Sequence, residues 1–211
     1  MLVSGGQSKS MSSFSLNVQF FVPGVDTAYG LSYGQWTTKW WEWCFSTPIS
    51  TSPLSDDSGK YSNINQDGPV WFLCGTFGEN KFPKRECIIP QEKGILFPVI
   101  NYIFIPDEKF RTDNDVMSHV KRDIDDIVKL EAAIDERPVP AYRVGSDPEI
   151  FNITIKEENK LGLPVGLNRA CADGYWIFLK PLPRGEHDLY FHGSCSGGIR
   201  NATASYKILS C

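Results

Sequence analysis

Apolar and polar side chains alternate from residue 14 to residue 20. An alternation with a period of two is typical of a β-strand that buries one face. The sequence VPGVD that follows contains proline and glycine, which interrupt regular structure. We therefore predict a strand over residues 14–20 and a flexible segment over residues 1–13. The apolar positions of this strand are Phe14, Leu16, Val18 and Phe20.

A second pattern, rich in tryptophan, has the period of a helix. Ser32 and Gln35 have the spacing of a capping box, which marks a helix start, and Pro48 predicts its end. We therefore predict a helix from Tyr33 to about Phe45. At about 100° per residue, its apolar arc covers more than half of the circumference, so the helix should lie between two packed surfaces. The tryptophans of this arc are Trp36, Trp40, Trp41 and Trp43.

Most of these rings are predicted to be core, since aromatic side chains at helical spacing usually pack inside proteins. The alternative that remains open is that Trp41, at the edge of the arc, stacks on a sugar or another planar ligand. Several rings displayed along an open groove would indicate a recognition surface instead of an interior.

Short apolar runs between turn-forming residues predict strands in both halves of the chain. Residues 47–68 are rich in Ser, Pro, Asp and Gly and predict a long loop, and loops of this length often carry function. A strand, a Pro/Gly turn and a returning strand over residues 173–193 predict a hairpin. The predicted strands cover residues 69–73, 86–90, 94–105, 150–155, 175–179, 188–191 and 204–209.

Between these runs the hydrophobic period changes to 3.6 residues, from Thr112 to about Ile134. Thr112 can cap such a helix, and Asp113 and Asp115 favour its positive end. Residues 111–137 hold five Lys or Arg against eight Asp or Glu, so much of the net charge lies on one solvated face. We predict one long, acidic, amphipathic helix. Its apolar stripe consists of Val116, Val120, Ile124, Ile127, Val128 and Ile134.

Strands are predicted at both ends of the chain, with two helices between them. Because strands and helices do not alternate regularly, a sandwich is favoured over a parallel α/β fold. We therefore predict a mainly β protein with two α-helices (α+β), built as an antiparallel, jelly-roll-like β-sandwich. The tryptophan-rich helix and the acidic helix would pack on it. A chain of 211 residues suits one domain, which we place at residues 14–211.

Charge and hydropathy exclude two classes of partner. The formal net charge of -4 offers no basic surface for phosphate backbones, so we expect no nucleic-acid partner. The longest apolar runs are shorter than the roughly 20 residues of a membrane span, so we expect a soluble, acidic protein that does not cross a membrane. No signal segment is visible at the start of the sequence. This favours the cytoplasm, or an extracellular location if such a segment has been removed.

The cysteines and the glycosylation sequons point in opposite directions. Six cysteines without a CxxC or Cys/His zinc spacing favour reduced thiols in a chain of this length. Sequons at Asn152 and Asn201 favour export instead. The sequons are the weaker signal, so the cytoplasm stays the predicted compartment and export the alternative.

Four blocks of sequence stand in fixed order between Tyr33 and Gly193: YGQWTTKWWEWCFSTPISTSPLSDDSG, GPVWFLCGTFG, CIIPQEKGILFPVIN and DGYWIFLKPLPRGEHDLYFHG. Together they resemble a family of uncharacterised prokaryotic proteins with the patterns YGxWxxxWWxW, GPVWFLxGTFG, CxxPxGKxxxFPxxN and DGYWxxLxPLPxGxH. The resemblance implies a β-rich protein of a kind that is often exported, with no established activity or cofactor. This chain departs from the family at Cys74, where a small residue such as alanine is common.

No catalytic motif is present, since the sequence lacks a GxSxG elbow, a Walker loop, an HExxH sequence and a dinucleotide fingerprint. We therefore predict a non-enzymatic binding or structural protein without a cofactor. A small-molecule or glycan ligand would bind where the loop at residues 47–68 meets the tryptophan-rich helix. The candidate ligand-binding residues are Trp41, Asp56, Asp57 and Tyr61.

A metal-assisted hydrolase, or a similar enzyme, is the first alternative. In a strand, His187 and His192 should point to opposite faces and cannot chelate one ion directly, and a hydrogen-bonded structural role is predicted for His187, on the face of Leu189. The second alternative is a self-assembling structural protein, a homo-oligomer joined through exposed strand edges. The candidate metal-site residues are His187, His192, Asp173 and Glu186.

Overall fold

The structure is a computed structural model that describes residues 18–78, 81–110, 112–159, 161–196 and 200–211. Within these ranges the chain is mainly β, with two α-helices and two five-stranded sheets. The prediction of a mainly β protein with two helices is confirmed. Neither of the described helices is long and apolar enough to cross a membrane.

The helices are α1, Tyr33–Phe45, and α2, Asp113–Asp125. Two short 3₁₀ helices, Ile49–Thr51 and Pro53–Ser55, lie in the loop that follows α1. The strands are β1 (Val70–Phe72), β2 (Lys84–Ile89), β3 (Gly94–Phe104), β4 (Ile127–Ile134), β5 (Arg137–Pro138), β6 (Tyr142–Arg143), β7 (Ile150–Ile155), β8 (Gly166–Leu179), β9 (Gly185–Cys195) and β10 (Asn201–Ser210).

Both sheets are mixed, which corrects the prediction of purely antiparallel strands. The first sheet has the order β1-β3-β8-β6, with β7 also paired to β8, and the second has the order β2-β10-β9-β4-β5. Most pairs are antiparallel, but the edge strand β1 runs parallel to β3, and the edge strand β2 runs parallel to β10. This strand order does not confirm a jelly-roll arrangement.

The predicted hairpin over residues 173–193 is wrong. β8 belongs to the first sheet and β9 to the second, so the segment at residues 180–184 carries the chain from one sheet to the other. Leu182 in this segment is buried in the core between the sheets, whereas the tip of a hairpin would lie in solvent. The antiparallel partners of β9 are β10 and β4.

The first sheet is packed on both faces. Leu96 of β3 and Phe178 of β8 belong to the core that contains the tryptophans of α1. The next residue of β3, Phe97, points the other way, into the core shared with the second sheet. Farther along the same face, Cys171 of β8 packs against Val120 of α2. The order of layers is therefore α1, the first sheet, and then the second sheet together with α2.

Helix α1 begins and ends at the residues that the sequence predicts. The Ser32 side chain accepts a hydrogen bond from the Gln35 backbone N–H at 3.1 Å, and the Gln35 side chain accepts one from the Ser32 N–H at 2.9 Å. All four tryptophans of α1 are at most 6% exposed, while Lys39 and Glu42 are exposed. The tryptophan rings are therefore buried, as predicted for most of them.

The second helix is shorter than predicted. α2 ends at Asp125, and the chain from Ile127 to Ile134 forms β4, which pairs with β9. The apolar spacing of the helix continues through Ile127 and Val128, so the pattern does not mark this end. Pairing with β9 determines that this segment is a strand, because strand formation depends strongly on neighbouring strands. Asp125 and Asp126 also lie at the negative end of the helix dipole, where acidic side chains are unfavourable.

The predicted strand over residues 14–20 and the flexible segment before it lie largely outside the described residues. In the described part, Phe20 forms an isolated antiparallel bridge with Leu179. The Phe21 N–H donates to the Phe178 carbonyl at 2.9 Å. The chain therefore runs beside the end of β8 where it can be described.

The six cysteines are unpaired in the structure, and Cys211 is the exposed one. Burial raises the pKa of Cys87 to about 12. Burial, with a contribution from the Asp173 carboxylate, raises the pKa of Cys171 to about 11. Because the thiolate is the reactive form, these two buried thiols are inert near neutral pH.

Candidate functional site

A cavity of about 440 Å³ lies beside the carboxyl-terminal half of β3. We refer to it as the Trp41 cavity. Its volume is in the range of small-molecule sites, about 300–1,000 Å³. Most of its wall is apolar, and the wall comes from segments that are far apart in sequence. It consists of Trp41, Leu161, Leu163 and residues 76–78, 100–105 and 200–202.

The Trp41 cavity follows from the short pairing of β1. β1 pairs with β3 only between Val70–Phe72 and Gly94–Leu96. The chain then leaves this edge, and the Thr76 N–H donates to the Thr203 carbonyl of β10 at 3.2 Å. Among the described residues no other strand continues along the edge of β3 that β1 leaves. The cavity occupies the space between β3 and residues 76–78.

Trp41 contributes a buried indole N–H that has no hydrogen-bond partner among the described residues. Its side chain is 1% exposed and stacks on Phe45, with ring centroids 6.0 Å apart. The other three tryptophans of α1 each donate the indole N–H to a backbone carbonyl, at 2.7, 2.8 and 2.9 Å. Trp41 is therefore the exception among the tryptophans of the helix, and it lies in the wall of a cavity.

Asn101 contributes a second donor of this kind. Its amide nitrogen Nδ2 is buried and has no partner within the described part of the chain. Asn101 stands opposite Gly174 in the pairing of β3 with β8. A Cβ atom at residue 174 would lie 2.6 Å from the Asn101 Cβ, so the glycine leaves room for the amide side chain.

The two residues that carry these unpartnered donors thus line the same cavity. A buried donor that lacks a partner costs about 1–3 kcal/mol, so each such group in a native protein calls for an explanation. The walls of two other cavities, of about 330 and 900 Å³, contain no such group among the described residues. The Trp41 cavity is therefore the strongest candidate site.

Arg200 is the one charged side chain among the described residues of the wall. Its Nη2 donates to Oδ1 of Asp123 at 3.0 Å, and its guanidinium carbon lies 5.1 Å from the ring centroid of Tyr102. Burial, together with the nearby Asp123 carboxylate, raises the pKa of Tyr102 to about 12. Tyr102 is therefore neutral at physiological pH, and the one formal charge among the described residues of the wall is that of Arg200, which is ion-paired with Asp123.

The other residues predicted to bind a ligand with Trp41 do not line this cavity. Asp56 accepts hydrogen bonds from the backbone N–H groups of Ser58 and Tyr61, at 2.9 and 2.7 Å. Burial opposes the ionisation of Asp56, but these hydrogen bonds outweigh it and lower the pKa of the carboxyl group. Asp57 is exposed and forms a surface ion pair. In this structure Asp56 holds the turn that contains Tyr61, and Trp41 lies at a separate place.

The four residues of the alternative metal site are not brought together. Asp173 lies in β8 of the first sheet, whereas Glu186, His187 and His192 lie in β9 of the second. Glu186 and His187 line a separate groove of about 900 Å³. No group of three or more His, Cys, Asp or Glu side chains in the described ranges lies close enough to hold a metal ion.

His187 has the hydrogen bonds of a structural histidine. It is 3% exposed and lies in the core between the sheets, on the same face as Leu189, while His192 points to the other face. One ring nitrogen of His187 lies 2.8 Å from Oδ2 of Asp135, and the other lies 2.8 Å from the carbonyl oxygen of Pro183. The opposite orientation of the two histidines is as predicted.

Comparisons with known proteins add nothing to this geometry. No family model matches the chain. No curated protein and no solved structure matches it either. The candidate site is therefore judged from its own residues, and the resemblance to a family of prokaryotic proteins stays a prediction.

Sequence reasoning identified Trp41 but missed Asn101 and Arg200. Asn101 interrupts the apolar run GILFPVINYIFI of β3. A polar side chain in a buried strand needs a hydrogen-bond partner, so this interruption was the available signal. Arg200 gave no signal, because its position at the cavity depends on how β10 is placed relative to β3.

Proposed function

We propose that the protein binds a small, largely apolar molecule that carries a hydrogen-bond acceptor, and that it does no chemistry on this ligand. The observation that supports the proposal is that Trp41 and Asn101 line the same apolar cavity and that each carries a buried N–H donor without a partner in the described structure. An acceptor atom of the ligand would take the hydrogen bonds that the described protein atoms leave unmade.

The apolar part of the wall would supply most of the affinity for the ligand, and the two donors would orient the ligand. Burying one CH₂ group contributes about 0.8 kcal/mol, and one hydrogen bond about 0.5–1.5 kcal/mol net. Side chains such as Phe77, Ile103 and Leu161 would remove water from a hydrocarbon or aromatic body. They favour such a body over a glycan, whose hydroxyl groups would lose hydrogen bonds to water.

The composition of the wall supports binding over catalysis. Among its described residues there is no His, Cys, Asp or Glu. General acid–base and nucleophilic catalysis most often rely on such groups within hydrogen-bond reach of the reacting atom. A ligand in the Trp41 cavity would contact hydrogen-bond donors and apolar rings instead.

The alternatives from the sequence have no specific structural observation in their favour. A metal-assisted hydrolase needs ligands that converge, and the four candidates lie in two different sheets. A self-assembling homo-oligomer, a jelly-roll-like sandwich, a prokaryotic origin and the absence of nucleic-acid partners stay proposals, as does the cytoplasmic or extracellular location.

Prodan, a neutral naphthyl ketone whose emission responds to its surroundings, is a suitable probe of the site. We expect it to bind the unmodified protein. The Trp41→Phe variant keeps an aromatic ring but removes the indole N–H, so the Kd for prodan should rise about 2- to 10-fold, the loss of one hydrogen bond of about 0.5–1.5 kcal/mol. A fluorescence titration measures both constants.

Trp71→Phe is the matched control. Trp71 is also buried, and its indole N–H also lacks a partner in the described structure, but the ring lies in the core between the two sheets. Its replacement should leave the Kd for prodan unchanged. A protein that does not bind prodan, or an equal loss of affinity in the two variants, contradicts the proposed function.

A further inference from the structure

We infer that the ligand of the Trp41 cavity is a short, uncharged, apolar peptide that binds in extended conformation, as an added strand on the edge of β3 that β1 leaves. This inference rests on the proposed function and makes it more specific, since it names the chemical class of the ligand. It follows from the backbone groups of β3 that point to the cavity, from the two faces beside this edge and from the cavity volume.

The first step concerns the direction of the backbone groups of β3. Asn101 and Ile103 stand opposite Gly174 and Ala172 of β8. The carbonyls of Gly174 and Ala172 accept hydrogen bonds, both at 2.9 Å, from the chain that follows β6, on the far edge of β8. In an antiparallel ladder a residue pair exchanges both of its hydrogen bonds or none, so these two pairs exchange none. The N–H and C=O groups of Asn101 and Ile103 therefore point away from β8.

The edge to which they point has no partner in the described structure. β1 pairs with β3 only over Gly94–Leu96, and neither Asn101 nor Ile103 forms another backbone hydrogen bond with a described residue. Residues 100–105 all line the cavity and include no charged residue and no proline, which often protect strand edges. Donors and acceptors follow each other along such an edge, and an extended peptide matches both.

The second step concerns the two faces beside this edge. Trp41, Phe77 and Leu163 belong to the core on the α1 face, and Tyr102 and Phe104 belong to the core on the α2 face. All five line the cavity. Successive side chains of an extended peptide point to opposite faces, so a strand on this edge would place apolar side chains against both. No single group of the ligand has to reach from one face to the other.

The third step concerns size and charge. The spacings of packed strands, about 3.3, 4.8 and 10 Å, give about 160 Å³ for one residue, so the cavity of about 440 Å³ suits a peptide of roughly three residues. A strand of a folded second copy would bring its neighbouring strand with it and is too large. Arg200, the one formal charge among the described wall residues, is already ion-paired with Asp123, which favours an uncharged peptide.

Three capped peptides with the same side chains test the inference: acetyl-Val-Leu-Val-amide, its diastereomer with D-leucine, and its form with all three residues N-methylated. Displacement of bound prodan gives their affinities. We expect the all-L peptide to bind about tenfold more tightly than the N-methylated form, which has lost the N–H groups that pair with β3. The D-leucine form should also bind more weakly, since its central side chain leaves the direction that an L-residue takes.

Amide hydrogen exchange followed by NMR tests the strand pairing itself. With saturating all-L peptide, exchange of the Asn101 and Ile103 amides should slow by about 2- to 10-fold or more, because each gains a hydrogen bond. The Tyr102 amide, which already points to β8, is the internal control and should exchange at an unchanged rate. The N-methylated peptide is the matched ligand control and should slow these amides less.

The Leu163→Ser variant tests the place of binding. It should lose about fivefold of the affinity for the all-L peptide, because it removes an apolar part of the wall. Its loop should keep its shape, since the Asn159 side chain bonds the Leu163 backbone N–H and C=O, at 2.8 and 2.9 Å. Leu167→Ser, at a side chain that is 73% exposed and outside the described wall, is the matched control and should bind as the unmodified protein does.

The outcomes separate the inference from the proposed function. If prodan binds and the all-L peptide does not displace it, the peptide inference is wrong and the binding function stands. Equal affinities for the three peptides, or unchanged exchange of the Asn101 and Ile103 amides, overturn the strand pairing. A Leu163→Ser variant with full affinity for the peptide shows that the peptide binds elsewhere. If neither prodan nor any of the peptides binds the unmodified protein, both the inference and the proposed function are wrong.

Discussion

Replacing Trp40 by alanine is expected to lower the free energy of unfolding by about 3–5 kcal/mol, the usual cost of removing a large aromatic side chain from a core. Trp40 is fully buried. Its ring packs edge-on against Trp41 and Trp176, with centroids 5.0 and 5.3 Å away. Its Nε1 donates to the Leu73 carbonyl at 2.8 Å, so the substitution also leaves that carbonyl without its partner.

Denaturation in urea, followed by circular dichroism, measures this loss. Trp40→Phe keeps a ring and should cost less, about 1–2 kcal/mol, because it removes the hydrogen bond and part of the volume. Lys39→Ala, at the exposed neighbouring position, should change the stability by no more than about 0.5 kcal/mol. If Trp40→Ala costs no more than Lys39→Ala, α1 is not held in the core as described.

Gly59→Ala is expected to cost about 2–5 kcal/mol, because two unfavourable effects add at this position. Gly59 has a φ of +91°, and an L-residue in the left-handed region loses about 1–2 kcal/mol. A Cβ atom at residue 59 would also lie 2.7 Å from the backbone nitrogen of Glu86, and closer still to its carbonyl oxygen. Such overpacking typically costs about 1–3 kcal/mol. The loop would have to move away from β2.

Gly68→Ala separates the two effects. Gly68 lies in the same long loop with a φ of +81°, but a Cβ atom there meets no other atom within 4 Å. It should therefore show the conformational cost alone, about 1–2 kcal/mol. The difference between the two variants in urea denaturation measures the contact of the loop with β2. Equal costs at both positions mean that the loop does not pack on this strand.

Helix α1 could be predicted to the residue because its signals are local. Ser32 and Gln35 are three positions apart, and their reciprocal hydrogen bonds form within a single turn. Pro48 follows soon after the last helical residue, Phe45. The apolar arc was also sufficient to predict burial of the tryptophan rings, since a helix that is apolar over more than half of its circumference needs packing on more than one side.

The end of α2 and the path after β8 could not be predicted, because both depend on contacts that are distant in sequence. Ile127 continues the helical spacing, but it pairs with Cys195 of β9. The segment at residues 180–184 has the composition of a turn, yet it anchors Leu182 between the sheets. The parallel pairing of β1 with β3 likewise follows from the sheet arrangement and has no local signal.

The candidate site could be predicted only in part. Trp41 was suggested by its position at the edge of the apolar arc, but the sequence grouped it with the loop that contains Asp56. The structure places Trp41 with Asn101 and Arg200 instead. These residues come from α1, from β3 and from the position just before β10, and they line one cavity because β1 leaves the edge of β3. The pattern within one segment does not show which residues from distant segments will lie near it.

The central claim is that the indole N–H of Trp41 faces the ligand, and ¹⁵N-edited NMR of the tryptophan indoles tests it most directly. The protein has six tryptophans, and the Trp41 signal is the one that disappears in Trp41→Phe. On titration with prodan, the Trp41 indole proton should move downfield as it gains an acceptor, and the Trp71 signal should stay in place. A Trp41 signal that does not move while prodan binds would contradict the account.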